Sequence, residues 1–306
     1  MAGLRDIAIQ WYRRAFGAPA GSDIRDEGFS TVLDGNGAIG LSETAMSSRA
    51  IMDAEGPRGA FAAATGLALA GRRATAYLSG QEIAAVQDLL VSAAGRHVPL
   101  VVHLATRSAA AHGGALGSGH DTVHLSADAG CFVLFAANVQ EAADFSFIAR
   151  RVSEQTLVPG LVVMDDEQTA LAAQDVRLLS PNQVARFLGA AGDEIETPTA
   201  AQKLLFGARR RRLPAWHDLD EPMLTGAVFD RESFGLGAAA RRPYFDDFVD
   251  DALARAFENF HDTTGRRYDT VSQHRLENAG LVLIAQGAAV ETARRAADLL
   301  RKQHRI

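Results

Sequence analysis

Four short runs of apolar residues alternate with longer segments in which apolar residues recur at helical spacing. The runs occupy residues 74–78, 100–105, 132–136 and 161–164. Each run is nearly continuous in apolar residues, which is typical of strands in a parallel sheet that helices cover on both faces. The segments between the runs, among them residues 81–94 and 139–154, have the spacing of helices. This alternation predicts an α/β fold with a doubly wound, mainly parallel sheet.

The same pattern divides the chain of 306 residues into three parts. Residues 1–30 are predicted to be an N-terminal extension, and residues 31–275 the main α/β domain. Within that domain the periodicity loosens from about residue 168 to residue 270. We expect this region to be a long excursion over the domain surface. Residues 276–306 are predicted to begin a second α/β domain.

The prediction of a second domain comes from a single βα unit. Residues 281–284 (Leu-Val-Leu-Ile) are predicted to be a short buried strand, and residues 287–302 a helix. One strand and one helix cannot cover both of their apolar surfaces. We therefore expect a partner chain or a continuation of the sequence to complete this unit.

Composition excludes several classes of function. The formal net charge of −6 argues against general affinity for nucleic acid. The sequence contains no apolar run of about eighteen residues, so no membrane span is predicted. A cytoplasmic location is the resulting expectation. The single cysteine, Cys131, opens a predicted strand and cannot form an internal disulfide or ligate an iron–sulfur cluster alone.

One basic run departs from the acidic balance of the chain. Arg209, Arg210, Arg211 and Arg212 are consecutive. Such a run is predicted to form a solvated surface turn, with docking of phosphate or of an acidic partner as the alternative.

Arg107 lies at the end of the second predicted strand, at the edge where ligands of doubly wound sheets bind. A fixed cation at that edge would hold an anionic substrate. The loop that follows contains His112 and His120, and His124 comes four residues after His120. Two imidazoles at this spacing would lie on one helical face, but a clear third ligand is absent from the sequence. No metal site is predicted.

Several segments in the same order resemble the pyrimidine-binding domain of pyruvate:ferredoxin (flavodoxin) oxidoreductase and related 2-oxoacid:acceptor oxidoreductases. The resemblance runs from about Asp34 to the C-terminus. Its segments are Asp34-Gly35-Asn36, Ala45-Met46-Ser47, Ala105-Thr106-Arg107 with the residues up to His112, Gly119-His120-Asp121, Val139-Gln140-Glu141-Ala142, Thr264-Gly265-Arg266 and residues 281–287. Each segment is a weak signal alone, and their order and spacing make the resemblance specific.

The resemblance implies a sheet of the thiamine-diphosphate-binding type and the oxidative decarboxylation of pyruvate or a related 2-oxoacid. It assigns the substrate carboxylate to Arg107, whose planar guanidinium fits a carboxylate bidentately, and places His112 and His120 in the substrate-binding loop. It also implies thiamine diphosphate with Mg²⁺, shared with a partner subunit. That subunit would carry the diphosphate-binding domain and the iron–sulfur clusters, and through it electrons would reach ferredoxin or flavodoxin.

Two departures from the family pattern concern catalysis. A helix is predicted from about Gly37 toward Ile51, and it leaves no room for the family's first strand and its substrate-contacting loop. The family's catalytic glutamate falls on Pro57, and a shifted alignment would bring Glu55 into its place instead. Glu55 is thus the candidate for activating thiamine, with a solvated carboxylate at a helix start as the alternative.

Two functions therefore remain open from the sequence. The chain is either a non-autonomous catalytic subunit of a 2-oxoacid:acceptor oxidoreductase or a catalytically degenerate paralogue with a structural or regulatory role in such a complex. The Arg107 loop favours the first function, and Pro57 with the missing strand favours the second.

Overall fold

A parallel four-stranded sheet lies at the centre of the computed structural model, which describes residues 28–50, 55–108, 119–216 and 233–304. The order of its strands is β2-β3-β5-β4, and all three pairings are parallel. Two further pairs, β1 with β6 and β7 with β8, are antiparallel. The strands are β1 (Phe29–Leu33), β2 (Thr75–Ser79), β3 (Val101–Thr106), β4 (Phe132–Ala136), β5 (Gly160–Asp165), β6 (Gln174–Leu178), β7 (Glu194–Glu196) and β8 (Arg209–Arg211). The predicted doubly wound, mainly parallel α/β fold is confirmed.

Helices cover both faces of the central sheet. The helices of the described residues are α1 (Gly35–Ala45), α2 (Gly56–Leu69), α3 (Ile83–Gly95), α4 (Asp121–Ser126), α5 (Val139–Thr156), α6 (Pro181–Leu188), α7 (Ala200–Phe206), α8 (Ser233–Tyr244), α9 (Val249–Thr264) and α10 (Ala289–His304). Apolar residues of α1, α5, α6 and α9 share one core cluster with the sheet, and those of α2 and α3 share another. None of the helices in the described residues is long and apolar enough to cross a membrane.

The register of the parallel strands brings their carboxyl ends to one edge. Ser79 pairs with Ala105 across β2 and β3, and Thr106 pairs with Asp165 across β3 and β5. Residues that directly follow Thr106 and Asp165 therefore become neighbours although they are far apart in sequence. This edge is the place where doubly wound sheets bind ligands.

In the described residues, the sheet continues beyond β2 by only one residue, Arg49. α1 ends at Ala45, so the predicted helix toward Ile51 is wrong. Its C-terminal end turns at Ser47, which has a positive φ of 58°, and the chain then bridges the sheet edge at Arg49. Arg49 forms an isolated parallel bridge with Ala74, in which the amide of Arg49 donates to Arg73 O at 3.0 Å and the amide of Thr75 donates to Arg49 O at 2.9 Å.

A buried ionic network ties α1 to the sheet and to α5. Glu43 Oε1 lies 2.7 Å from His103 Nε2, and Arg150 Nη2 donates to Glu43 Oε2 at 2.8 Å. Arg150 Nη1 also donates to Ala74 O at 2.7 Å. Burial by itself would raise the pKa of Glu43, but Arg150 and His103 together hold that pKa below its usual value. The network holds the Glu43 carboxylate in its charged form beside the sheet edge at β2.

The arginine run does not form the predicted solvated turn. Residues 209–211 are strand β8, and its alternation turns Arg210 inward until only 5% of its surface is exposed. Its guanidinium donates to Gln202 Oε1 at 2.7 Å and to Glu154 O at 2.7 Å. Burial lowers the pKa of Arg210 to about 10. Arg210 therefore holds the excursion against the end of α5.

The C-terminal βα unit is only half formed. The predicted buried strand at residues 281–284 is wrong, because no strand forms there and the four side chains are 58–91% exposed. The predicted helix does form, as α10. The division of the chain into an extension, a main domain and a second domain stays a prediction, and residues 1–27 lie outside the described part.

Arg210→Ala is expected to lower the free energy of unfolding by about 3 kcal/mol, because it leaves buried carbonyl oxygens without their charged donor. Arg211→Ala is the control, since Arg211 is exposed on the same strand and should change stability by no more than about 0.5 kcal/mol. Urea unfolding of both variants measures the difference. Equal stabilities would show that Arg210 does not hold the excursion.

Candidate functional site

Arg107 is the first residue after β3, at the carboxyl edge of the sheet. Its backbone packs against Gly80, which follows β2. A Cβ atom on Gly80 would overlap the carbonyl oxygen of Arg107 and would lie 2.5 Å from its amide nitrogen. Only glycine therefore permits this close approach of the two loops.

The guanidinium of Arg107 is paired with Asp166. Nη2 donates to Asp166 Oδ2 at 2.6 Å, and Nε donates to the same oxygen at 3.0 Å. The pairing follows from the strand register. Thr106 lies opposite Asp165, and Arg107 and Asp166 are the residues that directly follow them. The side chain of Arg107 is 36% exposed and that of Asp166 is 10% exposed. The cation therefore reaches solvent while its acidic partner is nearly buried.

Asp165 collects three donors at the same edge. Its Oδ1 accepts from Thr106 Oγ1 at 3.2 Å and lies 2.9 Å from His120 Nε2. Its Oδ2 accepts from the amide of Ala288 at 2.6 Å. The Asp165 carboxylate thus links β3, His120 and the segment before α10.

His120 is the second predicted site residue that the structure brings to this edge. Its ring contacts Phe135 edge-on, with the ring centroids 4.8 Å apart. Gly119, which precedes His120, packs closely against Ser108, because a Cβ on Gly119 would lie only 2.6 Å from Ser108 Cα. His112 lies in the intervening segment, outside the described residues.

The contact with the C-terminal segment was not predicted from the sequence. Gly287 has a positive φ of 65°, and a Cβ there would overlap Asp165 Oδ2 and lie 2.8 Å from Phe135 Cε1. A second contact joins Asn138 Nδ2, at the start of α5, to Glu291 Oε1 at 3.0 Å. The single sequence signal for this contact is the glycine itself, at the turn before the helix.

The side chains of Asn138 and Glu141 cap the N-terminal end of α5. Asn138 Oδ1 accepts from the amide of Glu141 at 2.9 Å, as an N-cap side chain does. The Glu141 carboxylate accepts from the amide of Ala137 instead of from that of Asn138. Burial raises the pKa of Glu141. The helix start that faces the site is therefore capped by side chains from α5 itself.

Glu55 lies at the start of α2, exposed and without a capping hydrogen bond from its side chain. Only residues 70–74 join α2 to β2, and the two elements pack together. α2 therefore begins near the carboxyl end of β2, at the same edge as Arg107. The structure gives Glu55 no contact with Arg107 or His120, so its role stays a prediction.

The described residues offer two kinds of chemistry at this edge. Arg107 presents a cation for an anion, and His120 and Glu55 present an imidazole and a carboxylate that can form hydrogen bonds. No group of three or more His, Cys, Asp or Glu side chains suited to a metal ion occurs within the described ranges. Cys131 is partly buried in the core cluster of α2 and α3, and burial raises the pKa of its thiol to about 12.

Comparison with known proteins identifies relatives along most of the chain. The family model described as pyruvate flavodoxin/ferredoxin oxidoreductase, thiamine diphosphate-binding, matches residues 39–216. The probable pyruvate-flavodoxin oxidoreductase of Escherichia coli (strain K12) is 26% identical over 250 residues, which cover 82% of this chain and 20% of that protein. Pyruvate synthase subunit PorA of Methanothermobacter thermautotrophicus is 26% identical over 249 residues, covering 81% of this chain and 59% of that protein. These matches confirm the resemblance drawn from the sequence.

A solved structure supports the fold. The 2-oxoglutarate:ferredoxin oxidoreductase from Magnetococcus marinus aligns with a TM-score of 0.53 and 14% identity, over 90% of this chain and 52% of that chain. At this identity the likeness concerns the fold alone. The chain spans 20% of the first relative and 59% of the second, so the activity of the whole proteins does not transfer with the match.

Asp165→Ala is expected to speed hydrogen exchange of the Ala288 amide by about tenfold or more, because the mutation removes its acceptor at 2.6 Å. Glu167→Ala is the control. It removes an acidic side chain two residues after Asp165 and should leave the exchange of the Ala288 amide unchanged. Exchange measured by mass spectrometry on peptides covering residues 285–292 reports the effect. Equal protection in both variants would mean that Asp165 does not hold the C-terminal segment.

Proposed function

The chain belongs to the thiamine-diphosphate-binding family of pyruvate flavodoxin/ferredoxin oxidoreductases, and from that membership we propose that it is the pyrimidine-domain subunit of a 2-oxoacid:acceptor oxidoreductase. The reaction would be the oxidative decarboxylation of pyruvate or a related 2-oxoacid. The observation that carries the proposal is the guanidinium of Arg107, partly exposed at the carboxyl edge of the sheet. A cation at this edge suits the carboxylate of a 2-oxoacid.

Arg107 would bind the substrate carboxylate through the nitrogens that Asp166 leaves free. His120, held by Asp165, would lie beside the bound substrate, and His112 would come from the same loop. These residues would orient the 2-oxo group and exclude water from it. Arg107 would act through its positive charge and the geometry of its guanidinium.

Thiamine diphosphate supplies, when bound, the nucleophilic carbon and the electron sink that 2-oxoacid decarboxylation requires. Among the described residues, Glu55 fits the carboxylate that the pyrimidine ring needs, because it is exposed at the correct edge of the sheet. Its role would be to hold a proton at a ring nitrogen. The fit of this chain to the cofactor is therefore limited to the pyrimidine end.

The diphosphate and Mg²⁺ would bind on a partner subunit. This part of the proposal rests on the sequence, which has no Gly-Asp-Gly segment followed by an asparagine ligand, and on the single cysteine. The iron–sulfur clusters and the contact with ferredoxin or flavodoxin would belong to that partner as well. Two relatives bear the name subunit, which supports a multi-subunit assembly. A cytoplasmic location remains a prediction.

A catalytically degenerate paralogue is the second candidate function. Pro57 occupies the position at which the resemblance expects the catalytic glutamate. Among the described residues, only the isolated bridge at Arg49 extends the sheet beyond β2, and Glu55 contacts neither Arg107 nor His120. In this case the chain would keep its fold and its interface and would have a structural or regulatory role in the complex.

Titration of the purified complex with thiamine diphosphate separates the two functions. The catalytic proposal expects cofactor binding together with 2-oxoacid-dependent reduction of an artificial electron acceptor. A complex that contains iron–sulfur clusters but binds no thiamine diphosphate would establish the degenerate role.

Arg107→Ala is expected to raise KM for the 2-oxoacid by about 10- to 100-fold, because a hydrogen-bonded charge pair to the substrate is lost. Arg96→Ala removes an exposed arginine after α3 and should leave KM unchanged. Steady-state kinetics of the complex provide the comparison. A KM that is the same in both variants would remove Arg107 from the substrate site.

Glu55→Gln is expected to lower kcat by about a hundredfold or more, because the amide cannot exchange the proton that activates the cofactor. Glu258→Gln, at an exposed position of α9, is the matched control and should retain full turnover. Rates measured at saturating thiamine diphosphate test the assignment. Undiminished turnover of the Glu55→Gln complex would assign activation to another residue.

A further inference from the structure

The contact between Arg107 and Asp166 uses only one edge of the guanidinium. Nε and Nη2 both donate to the single oxygen Oδ2. Arginine has a second edge, formed by Nη1 and the remaining hydrogen of Nη2, which also matches a carboxylate. Nη1 has no hydrogen-bond partner among the residues that the structure describes. Asp166 therefore occupies the Nε–Nη2 edge of the guanidinium and does not occupy the Nη1–Nη2 edge.

Asp166 is itself held in place. It is the first residue of a π-helical turn, Asp166–Ala170, that follows β5 directly, and such turns are frequent at functional sites. The amide of Leu171 donates to Asp166 O at 2.9 Å. A Cβ on Gly35 would lie 3.0 Å from the Cα of Ala170, so the start of α1 packs tightly against this turn. The acidic partner of Arg107 is thus fixed by the backbone around it.

We propose that Asp166 is the positioning residue that aims the free end of the Arg107 guanidinium at the substrate carboxylate. The inference rests on the proposed function, because it gives Arg107 the substrate carboxylate as its ligand. Gly80 fixes the backbone of Arg107 and Asp166 fixes its guanidinium, so a flexible side chain has lost most of its freedom before substrate arrives. Binding then costs less conformational entropy.

An opposite role for Asp166 would be competition with the substrate for the cation. Asp166 neutralises Arg107, and a substrate that needed the Nε edge would have to displace it. The geometry favours positioning, because no described residue occupies the Nη1 edge while Asp166 stays bound. The two roles predict opposite effects when the Asp166 carboxylate is removed.

The test uses the complete complex with thiamine diphosphate and measures the Kd of oxamate, a non-reacting analogue of a 2-oxoacid, by calorimetry. Asp166→Ala is expected to weaken oxamate binding by about tenfold or more, since it releases the guanidinium. Asp166→Asn keeps an acceptor oxygen and should restore Kd to within about threefold of the native value. Glu167→Ala is the matched control and should change Kd by less than about twofold.

Asp166→Glu keeps the charge and moves it by one methylene, so it separates position from charge even if the alanine variant does not fold. Weaker binding in this variant is the expected result. Oxamate binding that is unchanged or tighter in Asp166→Ala or Asp166→Glu would overturn the inference and leave the proposed function intact. Equal losses in Asp166→Asn and Asp166→Ala would also overturn it, because an acceptor oxygen at this position would then not be what holds the guanidinium. A native complex that binds thiamine diphosphate but no oxamate would overturn the substrate role of Arg107 together with the inference.

Discussion

Asp165 and Asp166, at the end of β5, link the candidate site residues at the carboxyl edge of the sheet. Asp165 accepts hydrogen bonds from β3 and from the C-terminal segment and contacts His120, and Asp166 fixes Arg107. Both are nearly buried, and buried carboxylates are stable only where donors surround them. The arrangement of Arg107 and His120 therefore depends on these two side chains.

The opposite side of β2 shows how the fold accommodates a shortened sheet. Within the described part of the chain, the bridge at Arg49 is all that extends the sheet beyond β2, and an edge of this kind would leave backbone groups unpaired. Arg150 supplies a charged donor to Ala74 O, and Glu43 with His103 completes the network. The sheet edge is thus closed by side chains instead of by a further strand.

The periodicity of apolar residues is sufficient to predict the central sheet, but it does not show which residues far apart in sequence will contact each other. The strand at Phe132–Ala136 was predicted to the residue, because a doubly covered strand is apolar throughout. Arg210 was assigned to a solvated turn, since four successive cations do not show which one will face inward. Residues 281–284 were predicted to be buried from their composition, although burial of such a run also requires a neighbouring strand. Arg107 was found from its place after a strand, whereas Asp166 became its partner only through the register of β3 and β5.

The most direct test is the structure of the complete complex with thiamine diphosphate and oxamate bound, determined by cryo-electron microscopy. We expect the oxamate carboxylate at about 3 Å from Nη1 and Nη2 of Arg107, with Asp166 still bound to Nε. A carboxylate held by other residues, or an Asp166 side chain displaced from Arg107, would contradict the positioning role of Asp166.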